Sequence, residues 1–131
     1  MSSEFAVIVA AGSLRSTVRA GTVFAHKWTE EGVTADLQFT GAHLLHLAAA
    51  GCVLNDVYRE AAQRGIAVNG VRVEAAGDFD RENWQSTGID YRVQIDTDAD
   101  ESAVDELIRV VDEVAEIPKA LREGARVQRI D

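Results

Sequence analysis

The chain has a single cysteine, Cys52, among 131 residues. One thiol excludes a disulfide within the chain, and it excludes any zinc site needing two or more cysteines from it. Positive charge is short as well: 13 Lys and Arg stand against 22 Asp and Glu, a formal charge of -9. Such a field repels phosphate backbones, which argues against nucleic-acid binding and in favour of solubility. No apolar run reaches the roughly 20 residues that span a bilayer, so no membrane partner is expected. The longest run, Leu44 to Leu54, is broken only by His46. The first residues lack a basic segment ahead of their short apolar stretch, so no signal peptide is read there and the cytoplasm is the expected compartment. Internal repeats and low-complexity tracts are lacking. The length suits one domain, residues 1–131, which buries roughly two thirds of its unfolded surface.

What is present centres on residues 41 to 66. They read as one long helix, apolar on every side in its first half, with Cys52 at its middle. A helix apolar all round calls for burial on all sides. Thr40 suits its N-cap and Gly65 its C-terminal stop. Before it the chain reads as a β-meander. The strands expected there are Phe5 to Ala10, one or two strands in 16–28 with a bend at Gly21, and Ala35 to Phe39. After it, Val68, Val71, Val73 and Ala75 suggest a strand, and Ile89, Tyr91, Val93 and Ile95 alternate with Asp90, Arg92, Gln94 and Asp96. That alternation has period two, so one face is buried and the other wet.

Asp98 and Glu101 have the spacing of a capping box ahead of a second helix, from about Asp100 to Glu116. Val104, Leu107, Ile108, Val111, Val114 and Ala115 form its apolar stripe. Pro118 ends it and opens a short turn stopping at Gly124, and Val127 with Ile130 suits a last strand. The order is strands, buried helix, strands, amphipathic helix, which is an α+β pattern.

The stretch Leu44-Leu45-His46-Leu47-Ala48-Ala49-Ala50-Gly51-Cys52 resembles the central helix of the OsmC/Ohr superfamily, the osmotically inducible and organic-hydroperoxide-resistance proteins. Val71 to Asp80 is similar to that family's strand and glycine turn, and Ile117 to Gly124 to its tail. The resemblance runs from about Thr40 to the C-terminus. It implies an OsmC-like fold and an intertwined homodimer whose sheets enclose both long helices. It also implies a reactive cysteine, activated by a glutamate and an arginine and resolved by a second cysteine. It calls for no cofactor and no metal.

By this alignment Cys52 is the peroxide-attacking thiol. The arginine falls at Arg15 or Arg19, with Arg15 the better fit by spacing. The glutamate falls at Ala42 and the resolving thiol at Ala115. A two-cysteine cycle within one chain is therefore impossible. Two readings stay open. One is a hydroperoxide reductase that works on Cys52, an organic hydroperoxide and an external thiol reductant. The other is a diverged member in which Cys52 is an inert buried thiol, and the dimer cleft binds an apolar small molecule or serves a structural role. Asp56, one turn on from Cys52, would disfavour a thiolate, and neither His43 nor His46 lies on its face of the helix.

Overall fold

A computed structural model describes residues 3–17 and 21–131. Five strands form one sheet: β1 (Val7–Gly12), β2 (Gly21–Phe24), β3 (Val33–Asp36), β4 (Gly70–Phe79) and β5 (Ser86–Asp96). Their order is β2-β3-β1-β4-β5, and every neighbouring pair is antiparallel. Three helices complete the chain: α1 (Gly41–Gln63), α2 (Glu101–Val114) and α3 (Glu116–Glu123). This is the α+β class that the order of patterns predicts.

The core lies between α1 and the middle of the sheet. Val7, Val9 and Ala11 of β1 stand opposite Ala75, Val73 and Val71 of β4. Period two sends all six to one face, where each is at most 1% exposed. Ala50, Val53, Leu54, Val57 and Ala61 of α1 meet them there, and Leu107 and Val111 of α2 close the cluster. Along β5, Ile89, Tyr91, Val93 and Ile95 are half-buried against this core, while the intervening residues are exposed, as the alternation requires.

Both ends of α1 follow the expected chemistry. The Thr40 oxygen accepts the His43 backbone N–H at 3.1 Å, and the same hydroxyl lies 2.7 Å from His43 Nδ1. At the other end Gly65 adopts φ +68°, and the Ile66 N–H returns to the Ala61 carbonyl at 2.9 Å, which satisfies a terminal acceptor. His46 is buried on the first turns of α1. Its Nδ1 lies 2.7 Å from the Ala42 carbonyl, so Nδ1 carries the hydrogen, and Nε2 faces Gly77 without a partner. A Cβ at residue 77 would lie 2.7 Å from that nitrogen and 2.2 Å from the Gly88 carbonyl oxygen, so only glycine fits.

Several boundaries differ from the sequence reading, each for a local reason. β3 ends at Asp36, where its pairing with β1 stops, and Phe39 is 90% exposed rather than on a strand. The cap of α2 is Asp100 rather than Asp98, and its carboxylate accepts the Ala103 N–H at 2.8 Å; the Thr97 hydroxyl takes the Ala99 N–H and holds residues 97–99 in a turn ahead of it. α2 stops at Val114, and the break falls at Ala115, ahead of Pro118. Pro118 is the third residue of α3, where a missing N–H costs no intrahelical bond. The last strand is not formed. Residues 125–131 have no regular secondary structure, and Val127 and Ile130 are 94% and 95% exposed. No helix is long and apolar enough to cross a membrane among the described residues.

The all-round burial expected of α1 is not reached by one chain. His43, His46, Ala49, Ala50 and Val53 are buried, but Leu44, Leu45, Leu47, Gly51 and Cys52 are only half-buried, and Ala48 is exposed. The sheet covers one side of α1, and α2 with α3 covers another; the remaining stripe stays open.

Candidate active site around Cys52

Cys52 sits on that open stripe and lines a cleft of about 410 Å³. Phe24 of β2, Leu47 and Leu54 of α1 and Ile117 of α3 give the cleft apolar walls. The polar groups are His26 from the segment between β2 and β3, Asn55 and Asp56 from α1, and Glu116 from the start of α3. The 3.6-residue period of α1 places Cys52, Asn55 and Asp56 on one side of the helix, as the sequence predicts. β2 and the segment after it come over that side from the far edge of the sheet. α3 arrives from below because Ala115, in extended conformation, turns the chain sharply after α2.

Two opposed influences act on the sulfur. Burial pushes the Cys52 thiol pKa up, and the Asp56 and Glu116 carboxylates push the same way. The backbone amides of Ile117 and Glu116 pull it down. These are first-turn amides of α3, which have no carbonyl partner inside their own helix. The upward influences win. The thiol is therefore the resting form at neutral pH.

Asp56 is 3% exposed. Its Oδ2 is 3.1 Å from Arg59 Nη2, yet no donor points at that oxygen with hydrogen-bond geometry. An ion pair without a directed bond is what this arrangement amounts to. Burial raises the Asp56 pKa, Arg59 opposes the rise, and Glu116 and Glu60 add to it. His26 is fixed between two partners: Nδ1 is 2.7 Å from the Thr29 hydroxyl and Nε2 is 3.2 Å from Asn55 Oδ1. The amide oxygen can only accept, so Nε2 carries the hydrogen and Nδ1 takes the threonine proton. Burial lowers the His26 pKa, with the Asn55 bond opposing, so the ring is neutral at pH 7. Behind it Tyr58 stacks on Trp28 at 6.4 Å and meets His26 edge-on at 5.2 Å. Tyr58 is thus a packing residue beneath the cleft wall, whereas Trp84 is 71% exposed on the β4–β5 loop.

Arg15 is exposed in the turn after β1, where its N–H bonds the Gly12 carbonyl, and it does not line the cleft. Arg19 lies outside the described residues. His43 and His46 are held at the start of α1, away from the sulfur. Ala115 is fully buried. The sequence reading placed Asp56 beside Cys52 because one helix carries both. It missed His26, Glu116 and Ile117, which reach the cleft through tertiary packing and have no spacing signal.

A half-buried thiol in an apolar cleft, carried by a long helix on an antiparallel sheet, defines a class of α+β proteins. The sequence model for the OsmC-like protein family matches residues 34–129, and the chain belongs to that family. Its fold is similar to that of an OsmC-like protein from Mycoplasma pneumoniae, with a TM-score of 0.61 and 15% identity over 76% of this chain and 79% of that one. It is also similar to an OsmC-like hydroperoxide resistance protein from Jannaschia sp., with a TM-score of 0.53 and 11% identity over 98% and 95% of the two chains. No curated protein matches the sequence. At these identities the structural likeness is one of fold.

Proposed function

We propose that this protein reduces organic hydroperoxides with Cys52 as its single nucleophile and an external thiol as reductant. The carrying observation is the half-buried Cys52 side chain, which lines an apolar-walled cleft beside the start of α3. The Cys52 thiolate attacks the distal peroxide oxygen, the S–O bond forms and the O–O bond breaks. The alkoxide leaves and is protonated to an alcohol, and Cys52 is left as a sulfenic acid. One external thiol displaces water to give a mixed disulfide, and a second releases the Cys52 thiol and the small disulfide. With alanine at 115, no second sulfur of the same chain can take the first of those steps.

A homodimer belongs to this reading. Its support is apolar surface that one chain leaves open: the α1 stripe, Phe24, Phe39, Val127 and Ile130. The cation that holds the thiolate is assigned to Arg15 or Arg19, brought to the cleft in the assembled dimer. Treatment with cumene hydroperoxide, followed by dimedone labelling and mass spectrometry, tests the reading. Sulfenic acid is expected at Cys52 faster than at free cysteine; a rate no higher rejects peroxidase function. Sedimentation at micromolar concentration is expected to give a dimer.

The raised thiol pKa favours a second reading, an apolar binding protein with a nearly inert Cys52. Under that reading the cleft takes ligand but dimedone labelling fails.

A further inference from the structure

The charge of the cleft points to a preference among ligands. We infer that the Cys52 cleft takes apolar molecules whose head group is positively charged, an alkylammonium for example, and rejects those headed by a carboxylate. The inference deepens the proposed function and rests on its reading of the cleft as the binding site.

Three observations carry it. The cleft is lined by two carboxylates, Asp56 and Glu116, and by no Lys or Arg among the described residues. Asp56 is almost wholly buried, and its Oδ2 has Arg59 Nη2 at 3.1 Å but no directed hydrogen-bond donor among the described residues, so its charge is only partly answered. Glu116 is exposed at the rim and makes no ion pair with any described residue, although Arg59 stands beside Asp56. The remaining polar groups, neutral His26 and Asn55, are engaged with each other. If one arginine reaches the cleft, it answers the thiolate, Arg59 answers Asp56, and the charge of Glu116 is left over. A carboxylate-headed chain would place a third negative group against the sulfur. An ammonium-headed one fills the vacant role and, beside Cys52, stabilises its anion.

The test uses three eight-carbon probes on the intact protein: octylammonium, 1-octanol and octanoate. Binding is followed by NMR through the amides of Asn55 and Ile117, in 0.3 M NaCl so that the overall charge is screened. Octylammonium is expected to bind about fivefold or more tightly than octanoate, with octanol between, which is the range that one to two partly exposed ion pairs supply. Glu116→Gln, at an exposed position that leaves the core untouched, is expected to cut that ratio to about twofold with octanol unchanged. Octylammonium is also expected to speed iodoacetamide alkylation of Cys52, and octanoate is not. Octanoate binding as well as octylammonium, a ratio unmoved by Glu116→Gln, or no binding by any probe at millimolar concentration would each overturn the inference. Failure of peroxide reduction shows itself elsewhere, as missing sulfenic acid in a protein that still discriminates among the probes.

Discussion

Replacing Asp56 by Asn should make Cys52 more reactive. The two residues are one turn apart on α1, and side chains at that spacing are about 6 Å apart at Cβ. Two unit charges about 7 Å apart interact by about 2.4 kcal/mol at an effective dielectric of 20 and about 0.6 kcal/mol at 80. Asp56 is buried but Cys52 is half-open to the cleft, so the middle of that range applies. Removing the Asp56 charge should therefore lower the Cys52 pKa by about one unit. Arg59, released from its ion pair, works in the same direction. The gain in thiolate is about tenfold at pH 7, but a less basic thiolate is also a weaker nucleophile, which takes back roughly half of the logarithm. The net expectation is a two- to fourfold faster alkylation. Iodoacetamide labelling from pH 6 to 10, read by intact mass, gives both the midpoint and the limiting rate. A midpoint unchanged or raised, with the circular dichroism spectrum unaltered, would refute the electrostatic account of Cys52.

Leu107→Ala empties a fully buried site on α2 and should cost about 2–5 kcal/mol, read from urea unfolding. Thr40→Ala removes the cap of α1 and should cost about 1 kcal/mol in the same assay. The Asp112 carboxyl is held low by the Tyr91 hydroxyl and then by Arg122, whose guanidinium is 2.7 Å away. A depressed carboxyl pKa gives stability that is present above the ordinary carboxylate range and is lost as pH falls through the folded value. Melting temperature measured from pH 6 to 2.5 should therefore fall less steeply in Tyr91→Phe than in the native protein, with Arg122→Gln intermediate. Equal slopes would mean the pair does not contribute.

The parts of the fold that could be read from sequence are those where a local pattern meets a local need. The caps of α1 at Thr40 and Gly65 are fixed by chemistry within a few residues. The alternation of β5 follows from having one wet and one buried face. The stripe of α2 is legible for Leu107 and Val111, yet Val114 at its end is 43% exposed because the chain turns away at Ala115. The expected final strand fails because β-branched residues at 127 and 130 show that a strand could form but cannot supply a neighbour, and their odd spacing offers no single face to bury. The same limit governs the cleft. Cys52 and Asp56 share a helix, and their spacing alone puts them together. His26 and Glu116 lie 26 and 64 positions from Cys52 in sequence, and only packing brings them near.

Arg72 and Glu74 of β4 point away from α1, 3.0 Å apart, and lie in register with Gln94 and Arg92 of β5. That outward side of the sheet is not uniform. Toward β4 and β5 it is mixed charge and amide, while Ile8 and Ala10 of β1 and Val23 of β2, in register with it, continue it in hydrocarbon. One half of that side is kept wet, and a body arriving at the other half meets a greasy patch that stops at a charged border.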